Sequence, residues 1–206
     1  MTQSASPSFE SYDFASLPHM DGYKLIMGSV IPRPVAVVAS LNAVGKTNVA
    51  PFSNFMIVSS ADGYVAFSVG SDGAAAADTR FKDTLVNIRR DGEYVINLAS
   101  AALAQKVQQC SETYPPDVSE ADEAGLTLLP SSIVKTPRIA ECMVQFECQL
   151  HSVQAFGRNS LVIGKVVVAH VRDEIISDYK IDPRKYSPLV RIGGRRYAEL
   201  GAFIDV

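Results

Sequence analysis

The second half of the sequence contains two long segments in which apolar and polar residues alternate. Alternation runs through ECMVQFECQLHSVQAFG (141–157), and NSLVIGKVVVAHVRD (159–173) follows after a turn at Gly157. Successive side chains of a strand point to opposite faces, so this pattern predicts strands with one buried face. Because the connection is short, we expect the two strands to pair as an antiparallel hairpin. A chain with such a hairpin is constrained to a β-rich fold.

The first half predicts further strands joined by tight connections. PRPVAVVASLN (32–42) is rich in valine, and the polar loop NAVGKTN (42–48) leads into NVAPFSNFMIVSS (48–60) and then ADGYVAFSVG (61–70). β-Branched and aromatic residues favour strands, and the Asn and Gly of the loop indicate a hairpin. The spacing is typical of an antiparallel barrel or sandwich.

A few helices are expected between the strands. DTLVNIRRDG (83–92) predicts a short helix that Asp83 or Thr84 caps and Gly92 ends, and ALAQKVQQCSE (102–112) predicts a second one. EYVINLAS (93–100) alternates like a strand, whereas residues 114–137 are acidic and rich in turn residues. That stretch is interpreted as an excursion over the surface. The fold class is therefore β-rich α+β with a few short helices.

Length and composition limit the organisation of the chain. The 206 residues predict one main domain over 21–206, preceded by an extended Ser-rich arm over 1–20. With 19 basic against 22 acidic residues, the chain lacks the charge of a general nucleic-acid or membrane binder. The N-terminus has no signal-peptide pattern, and the expected location is cytoplasmic. The alternation places Cys142 and Cys148 on one face of one strand as core thiols.

Common catalytic motifs are absent. The sequence has no GxGxxG or phosphate-binding loop, no HExxH and no GxSxG, and its three His and three Cys are scattered. Neither a metal site nor a catalytic nucleophile is therefore predicted. What remains is a set of residues suited to binding.

The first candidate binding group opens the helix at 83. Arg80, Lys82 and Thr84 lie before or at a helix N-terminus, where unpaired amides and the helix dipole favour an anion. This combination predicts a site for a phosphate monoester. The alternative is a solvated basic turn before an ordinary helix.

The second candidate group lies on the two strands of the first hairpin. Ser40, Asn48, Ser53 and Asn54 occur among small or apolar residues there. Small side chains let a flat ring approach the backbone closely. The alternative is that these are ordinary strand residues.

Taken together and in order, eight segments resemble one known family. The sequence resembles the flavin reductase-like FMN-binding split-barrel family, also called the flavoredoxin-like group, from Gly28 to Tyr197. The segments are IPRPVAVVAS (31–40), NVAPFS (48–53), SVG (68–70), KDTLVNI (82–88), EYVINLAS (93–100), GLTLLPSSIVKTPRIAE (125–141), LVIGKVVVAHV (161–171) and PLVRIGGRRY (188–197). The resemblance implies a split β-barrel with antiparallel, Greek-key-like strands.

The resemblance also implies a cofactor, a donor and a partner. Members bind FMN, many take electrons from NADH or NADPH, and they usually form homodimers with FMN near the subunit interface. Carried onto this sequence, the FMN phosphate is held by Lys82 and Thr84 with Arg80 nearby. The end of the strand after IPRP lies against the isoalloxazine ring and comprises Ala39, Ser40 and Leu41. The next element lines the ring and the ribityl chain and comprises Asn48, Ala50, Pro51, Ser53 and Asn54.

Two departures from the family pattern affect the expected chemistry. Met56 stands where many relatives have Asn, and FGRNS (156–160) replaces a Gly-Asp-His motif. The missing His leaves the electron donor or substrate open. His170 is interpreted as a half-buried strand residue, with a contact to the flavin as the alternative.

Three functions remain open from the sequence. The first is an FMN-dependent oxidoreductase that passes electrons from NAD(P)H to free flavin or another acceptor. The second is an FMN-binding electron carrier or flavin-storage protein without its own NAD(P)H activity. The third is a related split barrel that binds another ligand, such as haem or pyridoxal phosphate.

Overall fold

The computed structural model describes residues 7–70, 82–115 and 117–206. The chain divides into two compact units, one ending at Ile31 and the other beginning at Pro32. The first unit contains helix α1 (His19–Ser29), which the sequence analysis missed. Gly22 is the buried residue of this helix, while Met20, Tyr23 and Ile26 are exposed, and the glycines at 22 and 28 disfavour a helix in the sequence. The predicted boundary at residue 20 stays a prediction.

The second unit contains the remaining elements. Its helices are α2 (Asp83–Asp91), α3 (Ala104–Gln109) and α4 (Glu120–Glu123). Its strands are β1 (Arg33–Pro34), β2 (Ala36–Leu41), β3 (Thr47–Phe52), β4 (Phe55–Ser59), β5 (Tyr64–Gly70), β6 (Glu93–Leu98), β7 (Leu128–Leu129), β8 (Arg138–Ile139), β9 (Val144–Phe156), β10 (Asn159–Val171), β11 (Ile176–Ser177), β12 (Lys180–Ile181), β13 (Val190–Gly193) and β14 (Arg196–Ala198).

A seven-stranded antiparallel sheet forms the centre of this unit. Its strand order is β3-β2-β6-β9-β10-β5-β4, so β3 and β4 are its edges and the sheet is not closed. Strands β1, β13 and β14 form a separate small sheet. The predicted β-rich α+β fold with a few short helices is confirmed.

The two faces of the sheet carry separate apolar clusters. Val37 and Ala39 of β2 belong to one cluster with Cys142 and residues of α3 and α4. Ala36 and Val38 belong to the other, which also contains Leu85 and Ile88 of α2. Successive side chains of β2 point to opposite faces and pack into two different cores, so neither face of this strand meets solvent. Helix α2 closes one face of the sheet, and the excursion after α3 covers the other.

The predicted hairpin is confirmed as β9 and β10, which pair from Phe156 and Asn159 to Val144 and Val171. Cys142 and Cys148 are core thiols as predicted, but the prediction that they share one face of one strand is wrong, because β9 begins at Val144 and leaves Cys142 outside the strand. Cys142 and Cys148 are both buried free thiols but belong to different apolar clusters. A turn before the strand breaks the period of two that the sequence suggested.

Two other sequence predictions need correction. The segment 48–60 is two strands, β3 and β4, because the chain leaves the ladder at Ser53 and Asn54. The second predicted helix is a 3-10 turn at Ala101–Leu103 followed by α3, and it ends earlier than expected.

Glu147 fastens the excursion to the sheet. This carboxylate on β9 is 0% exposed and accepts the amides of Ser132, Ile133 and Val134 at 2.6, 2.7 and 3.0 Å. His170 Nε2 lies 2.6 Å from the same carboxylate. Three successive amides form a concavity suited to an anion. Burial would raise the pKa of Glu147, but the hydrogen bonds from Ser132, His170, Val134 and Ile133 outweigh it and lower that pKa to about 2.

Candidate functional site

A cavity of about 140 Å³ opens between β3 and the start of α2. It brings together five of the predicted FMN-binding residues, which are Asn48, Ala50, Pro51, Lys82 and Thr84. The remaining lining residues are Asp83, Cys110, Ser111, Glu112, Thr113, Tyr114 and Glu120. The cavity therefore places the predicted phosphate-binding residues at the start of α2 next to the predicted ring-binding residues of β3, as binding of one FMN molecule requires.

A buried polar bridge connects β2, β3 and α2 beside this cavity. The Asn48 amide donates to Thr84 Oγ1 at 3.0 Å and, with a longer contact of 3.4 Å, to Ser40 Oγ. Asn87 Nδ2 also donates to Ser40 Oγ, at 3.2 Å. Because both hydroxyl oxygens act as acceptors, each hydroxyl proton remains to be donated elsewhere. Asn48 thus fixes the position of the Thr84 hydroxyl.

Helix α2 begins without a side-chain cap. The N-cap is Lys82, so the prediction that Asp83 or Thr84 caps the helix is wrong. Leu85 and Val86 donate their amides to the Lys82 carbonyl, whereas the amides of Asp83 and Thr84 have no partner within the helix. The helix ends at Gly92 as predicted, with φ +71°. The start of α2 therefore offers backbone donors beside the Lys82 side chain.

The outer edge of β3 is held by the excursion. Glu120 Oε2 accepts the Val49 amide at 2.9 Å, and Ser119 Oγ donates to the Thr47 carbonyl at 2.8 Å. Pro51 lies two residues further along the same edge, where its missing N–H costs no sheet hydrogen bond. Burial raises the pKa of Glu120. Ser119 and Glu120 are not among the residues predicted from the sequence, because they lie in the segment interpreted as a surface excursion.

Carboxylates also surround the cavity. Asp83, Glu112 and Glu120 line it together with Lys82. Glu112 forms an ion pair with Arg195 of the β13–β14 turn, which offsets its charge. Burial raises the pKa of the Cys110 thiol to about 12, so this cysteine is a thiol at neutral pH.

The predicted residues at the C-terminal end of β2, which are Ala39, Ser40 and Leu41, do not line the cavity. Ala39 is fully buried in the apolar core, and Ser40 is buried within the polar bridge. The Leu41 carbonyl accepts Arg90 Nη2 at 2.6 Å. Strand β2 pairs with β3 from Ala36 to Leu41 but with β6 only from Ala36 to Ala39, so Ser40 and Leu41 are paired on the β3 side alone. The lining of the cavity comes from β3 instead.

The remaining predicted residues lie beyond β3 or outside the described residues. Ser53 Oγ accepts Arg33 Nε at 3.5 Å, and the Asn54 side chain is exposed while its carbonyl accepts the Ser68 amide. Arg80 lies outside the described residues. Met56, which departs from the family pattern, is 57% exposed on the edge strand β4. Within the described ranges, no group of His, Cys, Asp and Glu is arranged to hold a metal ion.

The fold and the sequence are similar to those of several known proteins. The model of the flavin reductase like domain family matches residues 27–198. Nitrilotriacetate monooxygenase component B from Bacillus cereus superposes with a TM-score of 0.90 and 29% identity, covering 98% of this chain and 100% of that chain. The 2-nitrobenzoate 2-nitroreductase NbaA from Pseudomonas fluorescens superposes with a TM-score of 0.85 and 30% identity, covering 96% of this chain and 95% of that chain.

A third structure bears on the fold alone. A flavin reductase with a split barrel domain from Shewanella frigidimarina NCIMB 400 superposes with a TM-score of 0.80 and 19% identity, covering 93% of this chain and 94% of that chain. The predicted split-barrel fold is therefore confirmed. The chain belongs to the flavin reductase-like domain family, and its class is that of flavin-related oxidoreductases. None of the described helices is long and apolar enough to span a membrane.

Proposed function

We propose that this protein binds FMN and uses it to pass electrons from NADH or NADPH to a flavin or another acceptor. The observation that carries the proposal is the cavity between β3 and α2, where Lys82, Thr84 and Asn48 meet Ala50 and Pro51 in a flavin reductase-like chain. When bound, FMN supplies the hydride and electron transfer, and the protein supplies position and electrostatics.

The start of α2 suits the phosphate of FMN. Lys82 brings a positive charge, and the amides of Asp83 and Thr84 bring donors that the helix does not use. The Thr84 oxygen accepts from Asn48, which leaves the hydroxyl proton for a phosphate oxygen. Asp83, Glu112 and Glu120 oppose an anion, so we expect the phosphate beside Lys82 and away from the Glu120 side of the cavity.

The ring system is expected to lie along β3. Ala50 and Pro51 present little bulk at the cavity, and Ser53 and Asn54 follow further along the chain. The cavity of about 140 Å³ is smaller than a typical cofactor site of roughly 300–1,000 Å³. FMN therefore extends beyond it over the protein surface. A second copy of the chain, as a homodimer, would cover that exposed part of the cofactor.

The described residues that line the cavity include no histidine, and its cysteine is protonated at neutral pH. Flavin-mediated hydride transfer needs no protein acid or base, so this composition suits the proposal. The similar structures are named for different reactions, a monooxygenase component and a nitroreductase. The acceptor is therefore proposed only as a flavin or another small molecule.

The test begins with the absorption spectrum of the purified protein before and after FMN is added. Stoichiometric uptake of FMN, followed by rapid anaerobic bleaching with NADH or NADPH, is expected. Uptake with bleaching no faster than that of free FMN would instead indicate an electron carrier or storage protein. A preparation that takes up no FMN would refute both functions and leave another ligand, such as haem or pyridoxal phosphate.

A further inference from the structure

A second concave surface lies at the open end of the β9–β10 hairpin, where Val144 pairs with Val171 and away from the turn at Gly157. This anion groove has a volume of about 440 Å³. Its lining is Leu129, Arg138, Ala140, Met143, Gln145, Ala169, His170, Val171 and Arg172. Two arginines and a histidine lie among these residues, and none of them is acidic. The volume is within the range typical of sites for small molecules.

The groove is separate from the cavity beside α2. His170 is opposite Gln145, Gln145 is opposite Asn97, Asn97 is opposite Val37, and Val37 is opposite Pro51. At strand spacings of 4.7–4.9 Å, this row puts about 19 Å of sheet between His170 and Pro51. Ile139 of β8 covers the middle of the row, where its amide donates to Asn97 Oδ1 at 2.9 Å.

Arg138 is fixed in place and keeps donors in reserve. Its Nε and Nη2 donate to the Pro130 carbonyl at 3.2 and 3.1 Å, and its Nη1 donates to Gln145 Oε1 at 2.6 Å. A guanidinium has five N–H donors, so these contacts orient the group without exhausting it. A ligand would meet an arginine whose conformational entropy is already reduced.

Arg172 and His170 complete the polar side. Arg172 Nη2 donates to the Ala140 carbonyl at 2.8 Å, while the side chain remains 48% exposed. Glu174 is 3.9 Å from Arg172 Nη1 and is itself 61% exposed, so its neutralising effect is weak. His170 Nε2 donates to the buried Glu147, which fixes the ring orientation and makes Nδ1 of the neutral ring an acceptor, so the contacts to an anion come from the two arginines.

We propose that the anion groove binds a small organic anion, a carboxylate or a phosphate ester, attached to a flat apolar body. Arg138 and Arg172 meet the charged end of the ligand, because guanidinium groups match carboxylate and phosphate geometry. The side chains of Leu129, Met143 and Val171 supply apolar contacts for the body of the ligand. This site is additional to the proposed flavin site and does not depend on it.

The test uses benzoate and phenyl phosphate as probes and benzyl alcohol as the uncharged control. Each is titrated into the full chain by isothermal calorimetry, and amide chemical shifts are followed by NMR. We expect saturable binding of at least one anion, shifts at 138–145 and 169–172, and no saturable binding of benzyl alcohol. Binding of both anions indicates the shared charge chemistry, and binding of one identifies the preferred class.

Variants locate the site. Arg172→Gln is expected to weaken anion binding by about tenfold or more, as for loss of a charge-assisted hydrogen bond. Arg184→Gln removes an arginine with a side chain 72% exposed outside the groove and is expected to leave the affinity within about twofold. Lys82→Ala tests whether the anion instead occupies the cavity beside α2. Loss of binding in Lys82→Ala with retention in Arg172→Gln, or no binding of either anion to the unmodified chain, would overturn the proposal.

Discussion

Replacing Glu147 by glutamine tests how the excursion is held to the sheet. Glu147 is fully buried, and its two oxygens accept three backbone amides of residues 132–134 and contact His170. Glutamine keeps one oxygen and places an NH₂ donor where the other accepted. Two charge-assisted hydrogen bonds are lost, and donors then face donors at a fully buried position.

The magnitude follows from those lost contacts. A hydrogen bond to a charged group contributes about 1.5–3 kcal/mol, and breaking a buried ionic interaction costs about 3–5 kcal/mol. We therefore expect Glu147→Gln to lower the free energy of unfolding by about 3–5 kcal/mol. Glu141 also accepts a backbone amide, that of Thr127 at 3.0 and 3.2 Å, but at an exposed position. Glu141→Gln is the matched control, expected to cost below about 1 kcal/mol.

The assay is urea unfolding followed by far-ultraviolet circular dichroism, because the chain has no tryptophan for fluorescence. Proteolysis of the folded variants adds a local readout, since cleavage at 130–136 is expected to accelerate in Glu147→Gln before global unfolding. A Glu147→Gln midpoint equal to that of Glu141→Gln, with no added cleavage, would refute the role assigned to Glu147.

Three further predictions follow from the structure. Because the pKa of Glu147 is lowered from 4.5 to about 2, its contribution is present above pH 4.5 and lost as the pH falls toward 2. The loss is worth about 3 kcal/mol, and pH-dependent unfolding of Glu147→Gln should show a smaller decline; parallel curves would contradict this. Lys82→Ala should weaken FMN binding by about 1.5–3 kcal/mol in a fluorescence titration but leave riboflavin binding nearly unchanged. The control Arg89→Ala should leave the affinity for FMN nearly unchanged. An equal loss for both flavins would argue against a phosphate contact. Gly164→Ala would put a Cβ 1.9 Å from the buried Tyr94 hydroxyl and lower the free energy of unfolding by about 1–3 kcal/mol. Adding Tyr94→Phe should restore part of that loss. A Gly164→Ala variant as stable as the unmodified chain would show that the Tyr94 ring shifts freely.

The regular elements could be predicted because their signals are local. The alternation at 141–157 and 159–173 reports two paired strands, and Gly92 reports the end of α2. The break at Ser53 and Asn54 was missed although both residues favour turns, because the apolar residues on either side continue the strand pattern. Helix α1 was missed because its amphipathic pattern is weak and because Gly22 and Gly28 disfavour a helix.

The contacts that complete the site depend on distant residues. Glu120 meets the Val49 amide across 71 positions, and nothing in the excursion itself indicates that partner. Glu147 occupies a polar position of an alternating strand, which normally indicates solvent, yet it is buried by amides that lie 13 to 15 residues earlier. Such pairings need the fold, since hydrophobic periodicity carries no information about carboxylate partners.

The central claim is that the start of α2 holds the phosphate of FMN while β3 supports the ring. A crystal structure of the protein with FMN measures this directly. The account predicts a phosphate oxygen within hydrogen-bond distance of Lys82 Nζ and the Thr84 hydroxyl, with the ring beside Ala50 and Pro51. A phosphate bound elsewhere, with the cavity beside α2 empty of cofactor, would contradict it.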